Sequence, residues 1–439
     1  GSATLIDPQT GHYFAELPIA PEMLETPEVL TGVENSLFGF NSSVGTISYG
    51  WSQIQNGGSA TAGFGDHNLN FQRLHSGLTG PVGERSGWTW GVEAEVSRSE
   101  SDGTIDYGDH DFDRTTGRIQ LLGPHSQTDL FAGHQSKFFG WPNMYTPYGV
   151  NETENLKTRL FFFNHLQSYK EASYIEFSIY DRENKDHYVY NRLAPMQYQA
   201  FHETDASAFA FSGKHDFSDA WSAFYFLQFT ADEIDSSAIS GGVPAAALEQ
   251  GDFTSREYMK ITVLPKYSYQ LDRTNAFSIR AGASFDATNR SNTEDTLSPM
   301  IDLTWTREYE NGGRQNVYLE YAQASQVVGY TAIGGSETSG LFRSNYDLGR
   351  EKSKNLEIGT SIERVNWSLE ATVFHRWDDD LVDWTFSGMG ARNANAVDIE
   401  TLGFELIGTR RWAVIEAIAS YTFLDKNEDY GDATVDGSF

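Results

Sequence analysis

The side chains with the most evident chemistry in this sequence are the carboxylates of one polar stretch, residues 100–113. It carries Asp102, Asp106, Asp109, Asp111 and Asp113. Asp109, Asp111 and Asp113 alternate, so in a strand their carboxylates would share a face at a repeat of about 6.7 Å. Calcium takes roughly six to eight hard oxygen ligands from such groups. The five aspartates are therefore candidate calcium ligands, although a solvated acidic loop would carry the same residues. No D-x-D-x-D-G run with a spaced glutamate follows, which excludes an EF-hand. The next polar stretch holds Trp141, Tyr145 and Tyr148. Their flat, amphipathic rings suit a large organic ligand, and would equally serve loop packing or interfacial anchoring.

Other chemistries find no support. The histidines are scattered, without H-x-H or H-E-x-x-H spacing, so a catalytic zinc site is not expected. There is no G-x-S-x-G elbow and no phosphate-binding glycine loop. With no cysteine in 439 residues, disulfides and thiolate chemistry are excluded. A formal charge of −30, from 31 basic and 61 acidic residues, argues against a nucleic-acid partner. An enzyme is not expected.

The elements that must position these residues are strands. In 88–96, Trp88, Trp90, Val92, Ala94 and Val96 share one face and Glu93 and Glu95 the other, the period-two pattern of a strand with two different surroundings. The same alternation recurs along the chain and predicts about seventeen strands, beginning 44–54, 59–74 and 87–99 and ending 395–409 and 411–424. Most exceed the ~5–6 residues of ordinary strands and reach the ~9–11 needed to cross a bilayer at a tilt. Short connections (123–129, 166–171, 214–219, 271–276, 308–314, 363–367, 408–412) alternate with long polar loops. That asymmetry is the signature of an all-β, transmembrane, antiparallel up-and-down β-barrel. No apolar run is long enough for a transmembrane helix, and a mean hydropathy of −0.47 does not conflict with a barrel, whose lipid-facing and lumen-facing residues alternate. Aromatics at strand ends, among them Trp51, Trp88 and Trp384, are expected in interfacial girdles.

Two segments resemble TonB-dependent outer-membrane receptors. Residues 29–47, VLTGVENSLFGFNSSVGTI, are similar to the end of that family's plug domain, V-L-R-G-P-x-S-x-L-Y-G-x-N-A-x-G-G-x-I-N-I, with Gly32, Leu37, Phe38, Gly39, Asn41, Gly45 and Ile47 at matching positions. Thr31 stands where the family has arginine, which puts its usual plug-to-barrel ion pairing in doubt. Within 351–425, the runs EKSKNLEIG, TVFHR with DLVDW, and SYTFLD resemble successive strands of the family's barrel.

The resemblance implies a plug tail at 1–43 and a barrel at 44–439. Receptors of this kind have 22 strands around a plugged lumen, so the expected strands read as most of such a barrel, lacking its last strands and most of its plug. It further implies a Gram-negative outer-membrane location, lipid contact, a monomer, and a TonB-type energy-coupling protein reached through a missing N-terminal segment. The ligand would be scarce and large: cobalamin, a ferric siderophore or a similar metal chelate. Cobalamin-type members place Ca²⁺ in early extracellular loops, which makes Asp102–Asp113 relevant. A passive porin-like channel and a soluble extracellular glycan-binding protein are the alternatives.

Overall fold

The computed structural model describes residues 3–9, 16–83, 87–146, 148–170, 172–238, 254–290, 293, 295–310, 312–338, 342–385 and 392–431. Parts of the expected plug tail (1–2, 10–15) and of the expected barrel (including 239–253 and 432–439) lie outside them.

Before the wall begins, β1 (Glu28–Leu30) and β2 (Thr46–Ser48) pair antiparallel around the helix α1 (Gly32–Phe38). The wall follows as β3 (Gly57–Phe64), β4 (Asn70–Pro81), β5 (Thr89–Ser101), β6 (His110–Gly123), β7 (Ser126–Pro142), β8 (Asn151–Ser168), β9 (Tyr174–Val189), β10 (Gln199–Asp216), β11 (Trp221–Ser236) and β12 (Ser255–Gln270). It continues as β13 (Asn275–Thr288), β14 (Thr296–Tyr309) and β15 (Gly313–Val327). A loop with the short helix α2 (Tyr330–Gly334) and the two-residue β16 (Phe342–Arg343) leads to β17 (Arg350–Arg364), β18 (Trp367–Thr385), β19 (Arg392–Arg411) and β20 (Glu416–Asp429). Each long strand pairs antiparallel with the next, and the series curls into a barrel. The first and last strands share no residue-by-residue ladder among the described residues, and β20 is exposed along its whole length.

The seventeen long strands equal the expected number only because two differences cancel. The expected strand 44–54 is not in the wall: its alternation belongs to the lumenal β1–β2 ribbon. Trp51 sits inside, 5.4 Å from Phe131 and 5.9 Å from Phe162, rather than in an interfacial girdle. The expected strand 59–74 is two strands. His67 and Asn68, at φ 56° and 55°, give the reversal between them its left-handed backbone, and the Gly65 amide donates to Leu69 O across it at 2.8 Å.

Outside and inside are chemically inverted relative to a soluble protein. On β5, Val92 and Val96 face outward while Glu93 and Glu95 are buried, as the alternation requires. Across β8 to β11 the register aligns Phe163, Ile179, Phe209 and Phe229 in one outward row. Four residues further toward the long loops, roughly 13 Å along the strands, the outward row is Arg159, Glu183, Asp205 and Glu233. An apolar band capped by charge is the outer surface of a membrane barrel. Inside, the largest fully buried side chains include Arg118, Arg182, Arg256 and Arg290. Arginine is almost never buried without partners. Here Arg118 meets Glu93 and Asp129, the latter at 3.1 Å, and lies 5.2 Å over the Trp51 ring.

The plug tail fills the lumen against β7 to β12. Ala3, Ile6, Ala20, Met23 and Phe40 pack into one apolar cluster with Phe131, Leu160, Phe162, Tyr180, Phe226 and Tyr258 of the wall.

Candidate functional site

Two regions are built for function: the seat of the plug tail and the long-loop mouth above it. The seat is polar and specific. α1 buries Val33 and Leu37 against Leu264, Met300 and Ala322. Gly32 adopts φ +51°, and a Cβ there would fall 1.8 Å from Glu320 Oε1, so glycine lets the helix start close to the wall without backbone strain or displacement of that glutamate. Glu34 pairs with Arg280, which also reaches Asp302 at 3.1 Å. Ser36 donates to Gln323 O at 2.6 Å, and Lys260 Nζ donates to Gly39 O at 2.5 Å. The Val327 amide donates to Asn41 Oδ1 at 2.6 Å, and the Ser43 amide to Gln326 Oε1 at 3.1 Å. The absence of arginine at Thr31 therefore does not abolish ion pairing. A different pair links plug tail and wall here, Glu34 on the plug and Arg280 on the wall. Beside it a cavity of about 250 Å³ is lined by Thr31, Gly32, Glu357, Arg376 and Glu405.

At the mouth the connection from β15 to β17 folds down into the lumen. The Tyr330 amide donates to Pro8 O at 2.8 Å and the Thr331 amide to Gln9 O at 2.9 Å. Tyr330 is fully buried. Its hydroxyl donates to Asp232 Oδ1 at 2.5 Å, and the Arg256 guanidinium lies 3.7 Å from its ring centroid. An outer loop thus rests directly on the plug tail.

The aromatic residues singled out from sequence are only partly gathered. The Tyr145 amide donates to Glu152 Oε2 at 2.9 Å and its hydroxyl to Glu154 Oε2 at 2.5 Å. Its ring stands edge-on to Tyr188 at 5.6 Å, and Tyr188 lies 6.3 Å from Tyr198. Trp141 and Tyr148 are exposed at the rim. Glu152, Glu154, Asp186, Tyr188 and Tyr198 escaped the sequence reading. The parity of β8 would have found the first two, because they share the lumen face of Leu156 and Leu160.

The five aspartates are dispersed. Asp102 accepts from Asn68 Nδ2 at 2.5 Å, and Asp106 is exposed on the loop. Asp109 pairs with Arg192, accepting from Nη2 at 3.1 Å. β6 starts at His110, so Asp111 and Asp113 point outward, 3.5 and 3.9 Å from Arg98. Among the described residues no three histidines or carboxylates converge as metal ligands. The Arg192 guanidinium, hydrogen-bonded to Asp109, holds that carboxyl below its ordinary range.

Comparison with known proteins agrees with this architecture. No curated protein sequence matches the chain. Among solved structures, the copper transporter OprC is similar with a TM-score of 0.69 at 12% identity, over 95% of this chain and 69% of that one. The ferripyoverdine receptor of the outer membrane of Pseudomonas aeruginosa is similar at 0.65 and 12% identity, over 93% and 61%. The siderophore receptor PirA from Acinetobacter baumannii is similar at 0.67 and 13% identity, over 92% and 67%. At such identities the likeness is one of fold, and the chain spans about 61 to 69% of these structures. The family model described as TonB dependent receptor-like, beta-barrel, matches residues 35–439. A barrel with a polar, plug-filled lumen and that match together place this outer-membrane chain in the TonB-dependent receptor family.

Proposed function

We propose that this chain is the barrel and plug tail of a receptor that captures a scarce, large ligand outside the cell and imports it into the periplasm. The ligand class is a ferric siderophore, a cobalamin or a similar metal chelate. The observation that carries this reading is the stacking at the mouth: tyrosines and acids surround a lumen whose floor is the plug tail, and the Tyr330 loop bonds to that floor. A ligand that displaces the loop would disturb Pro8 and Gln9 directly. A TonB-type energy-coupling protein would then draw the plug off its seat, breaking the contacts at Glu34, Ser36, Gly39, Asn41 and Ser43. Nothing in this cycle breaks a covalent bond of the ligand, so no catalytic group is required. The protein acts as a monomer in this scheme.

The test is binding of a panel of ferric siderophores and cyanocobalamin to the full-length receptor in detergent, with and without EGTA, followed by uptake in cells that have or lack the coupling protein. Tight binding of one chelate and coupling-dependent uptake are expected. Free passage of small sugars through receptor-containing liposomes, without any coupling partner, would instead establish a passive channel. An affinity reduced by EGTA would restore calcium at Asp102–Asp113; an unchanged one removes it.

A further inference from the structure

At the mouth, one group of lumenal oxygens is left unsatisfied by everything around it. Each oxygen of Glu152 has a donor, the Tyr188 hydroxyl on Oε1 at 2.5 Å and the Tyr145 amide on Oε2 at 2.9 Å. Glu154 accepts from the Tyr145 hydroxyl and meets the carboxyl of Asp186 diagonally across the β8–β9 ladder. Asp186 Oδ2 accepts from Gln9 Nε2 at 2.8 Å, and Asp7 Oδ1 accepts from the Gln9 amide at 3.0 Å. Three atoms remain without a donor: Asp186 Oδ1, Asp7 Oδ2 and Gln9 Oε1. Asp186, Asp7 and Gln9 are 4%, 8% and 3% exposed, too buried for bulk water to serve them.

All three atoms are acceptors, and one belongs to a neutral amide, so the deficit is of donors as well as of positive charge. Buried acceptors without donors are costly, and the neighbouring carboxyls of Glu154 and Asp186 make the seam attractive to a positive charge. A metal ion is disfavoured, because among the described residues no three carboxylates converge on one point. A group with several N–H donors and a positive charge fits better. The nearby rings of Tyr145, Tyr188 and Tyr198 offer π-faces that attract cations.

We infer that this seam between the plug tail and the outer ends of β8 and β9 receives an organic ammonium or guanidinium group carried by the imported ligand. The inference rests on the receptor function proposed above and narrows its ligand. It also supplies a release step. Asp7 and Gln9 belong to the plug tail, so withdrawal of the tail removes two of the three acceptors and weakens the grip on the cation.

The experiment is thermal unfolding of the full-length receptor in detergent, titrated with spermidine, with tetramethylammonium (a cation without N–H donors) and with CaCl₂. Spermidine is expected to raise Tm saturably, and tetramethylammonium to need at least tenfold higher concentration. Asp186→Asn places an amide donor in the seam. This variant is expected to melt higher than wild type without ligand, which shows that it folds, and to respond to spermidine at least tenfold more weakly. Asp7→Asn should weaken the response in the same direction. An unaltered spermidine response in both variants, no response in wild type, or a CaCl₂ response that Asp186→Asn abolishes would each overturn the inference. A receptor that binds a ferric chelate but ignores spermidine loses this subsite and keeps its proposed function. One that responds to spermidine as described but imports no chelate does the opposite.

Discussion

Glu34 on the plug helix and Arg280 on β13 form an ion pair in which the wall residue serves two acids, since Arg280 Nε also reaches Asp302 at 3.1 Å. The two ends of this pair are not equivalent. The Glu34 side chain is 41% exposed, whereas that of Asp302 is 5% exposed. Removing Glu34 leaves Arg280 still partnered and loses a half-solvated contact, typically ~0.2–1 kcal/mol. Removing Arg280 takes the cation away from a buried carboxylate and leaves it to the Thr304 hydroxyl, 3.0 and 3.1 Å from its oxygens, at a cost approaching the ~3–5 kcal/mol of a broken buried pair. Arg280→Ala is therefore expected to lower the denaturation temperature of the detergent-solubilised receptor several times more than Glu34→Ala. Equal effects in a thermal scan would mean that the Thr304 hydroxyl, or solvent, serves Asp302 as well as the guanidinium does.

Gly32 tests the seat from the plug side. Its left-handed backbone and the 1.8 Å approach of a Cβ to Glu320 Oε1 leave alanine no room unless the helix or the glutamate moves. Strain at such a position costs on the order of 1–3 kcal/mol, added to the steric conflict. Gly32→Ala is expected to unseat the start of α1 and make the pore leaky. Raised single-channel conductance in planar bilayers is the readout. A closed pore like that of wild type would show that the Glu320 side chain simply swings aside.

The sequence disclosed parity better than partnership. Glu93 and Glu95 could be assigned to the lumen because alternation depends only on neighbours along the chain. Trp51 shows where this fails. A lumenal ribbon alternates as a wall strand does, so Gly45–Trp51 cannot be told from β3 by period alone. The acids show the other failure. Asp109, Asp111 and Asp113 read as one group, yet a strand that starts at His110 turns Asp111 and Asp113 outward to Arg98 and leaves Asp109 to Arg192, a residue 83 positions away. The seam of Asp7, Gln9 and Asp186 joins residues separated by 177 positions. Only the folded register of the barrel brings such residues together.

The coupling of the outer loop to the plug depends on Tyr330. Phenylalanine there keeps the ring under Arg256 but removes the donor to Asp232, which is buried. A lost buried hydrogen bond with its acceptor left in place costs about 1–3 kcal/mol. Tyr330→Phe is expected to accelerate amide hydrogen exchange at Tyr330 and Thr331 by roughly fivefold to a hundredfold, since ~1.4 kcal/mol is one decade. Those amides bond to Pro8 and Gln9, so protection of the plug tail should fall with them. Faster exchange across the whole barrel, rather than at this contact, would point to global destabilisation.

The pair between Asp109 and Arg192 joins two outer loops and makes their docking sensitive to acid. Arg192 holds the Asp109 carboxyl below its ordinary range, so the folded state binds that proton more weakly than the unfolded chain. The stabilisation is complete above the ordinary carboxylate pKa of about 3.9 and is lost as pH falls through the lowered value. Both side chains are about a third exposed, at 27% and 32%, so the pair is worth only ~0.2–1 kcal/mol. The chain has no cysteine, which allows Ile105→Cys and Leu193→Cys to carry a unique pair of spin labels. At pH 6 the label distances are expected to form one narrow distribution. As the pH is lowered until the Asp109 carboxyl protonates, the distribution should broaden, and Arg192→Ala should broaden it already at pH 6. A distribution in the Arg192→Ala protein that stays narrow at pH 6 would show that the Gly140 amide, which donates to Asp109 O at 2.9 Å, holds the loop without the ion pair.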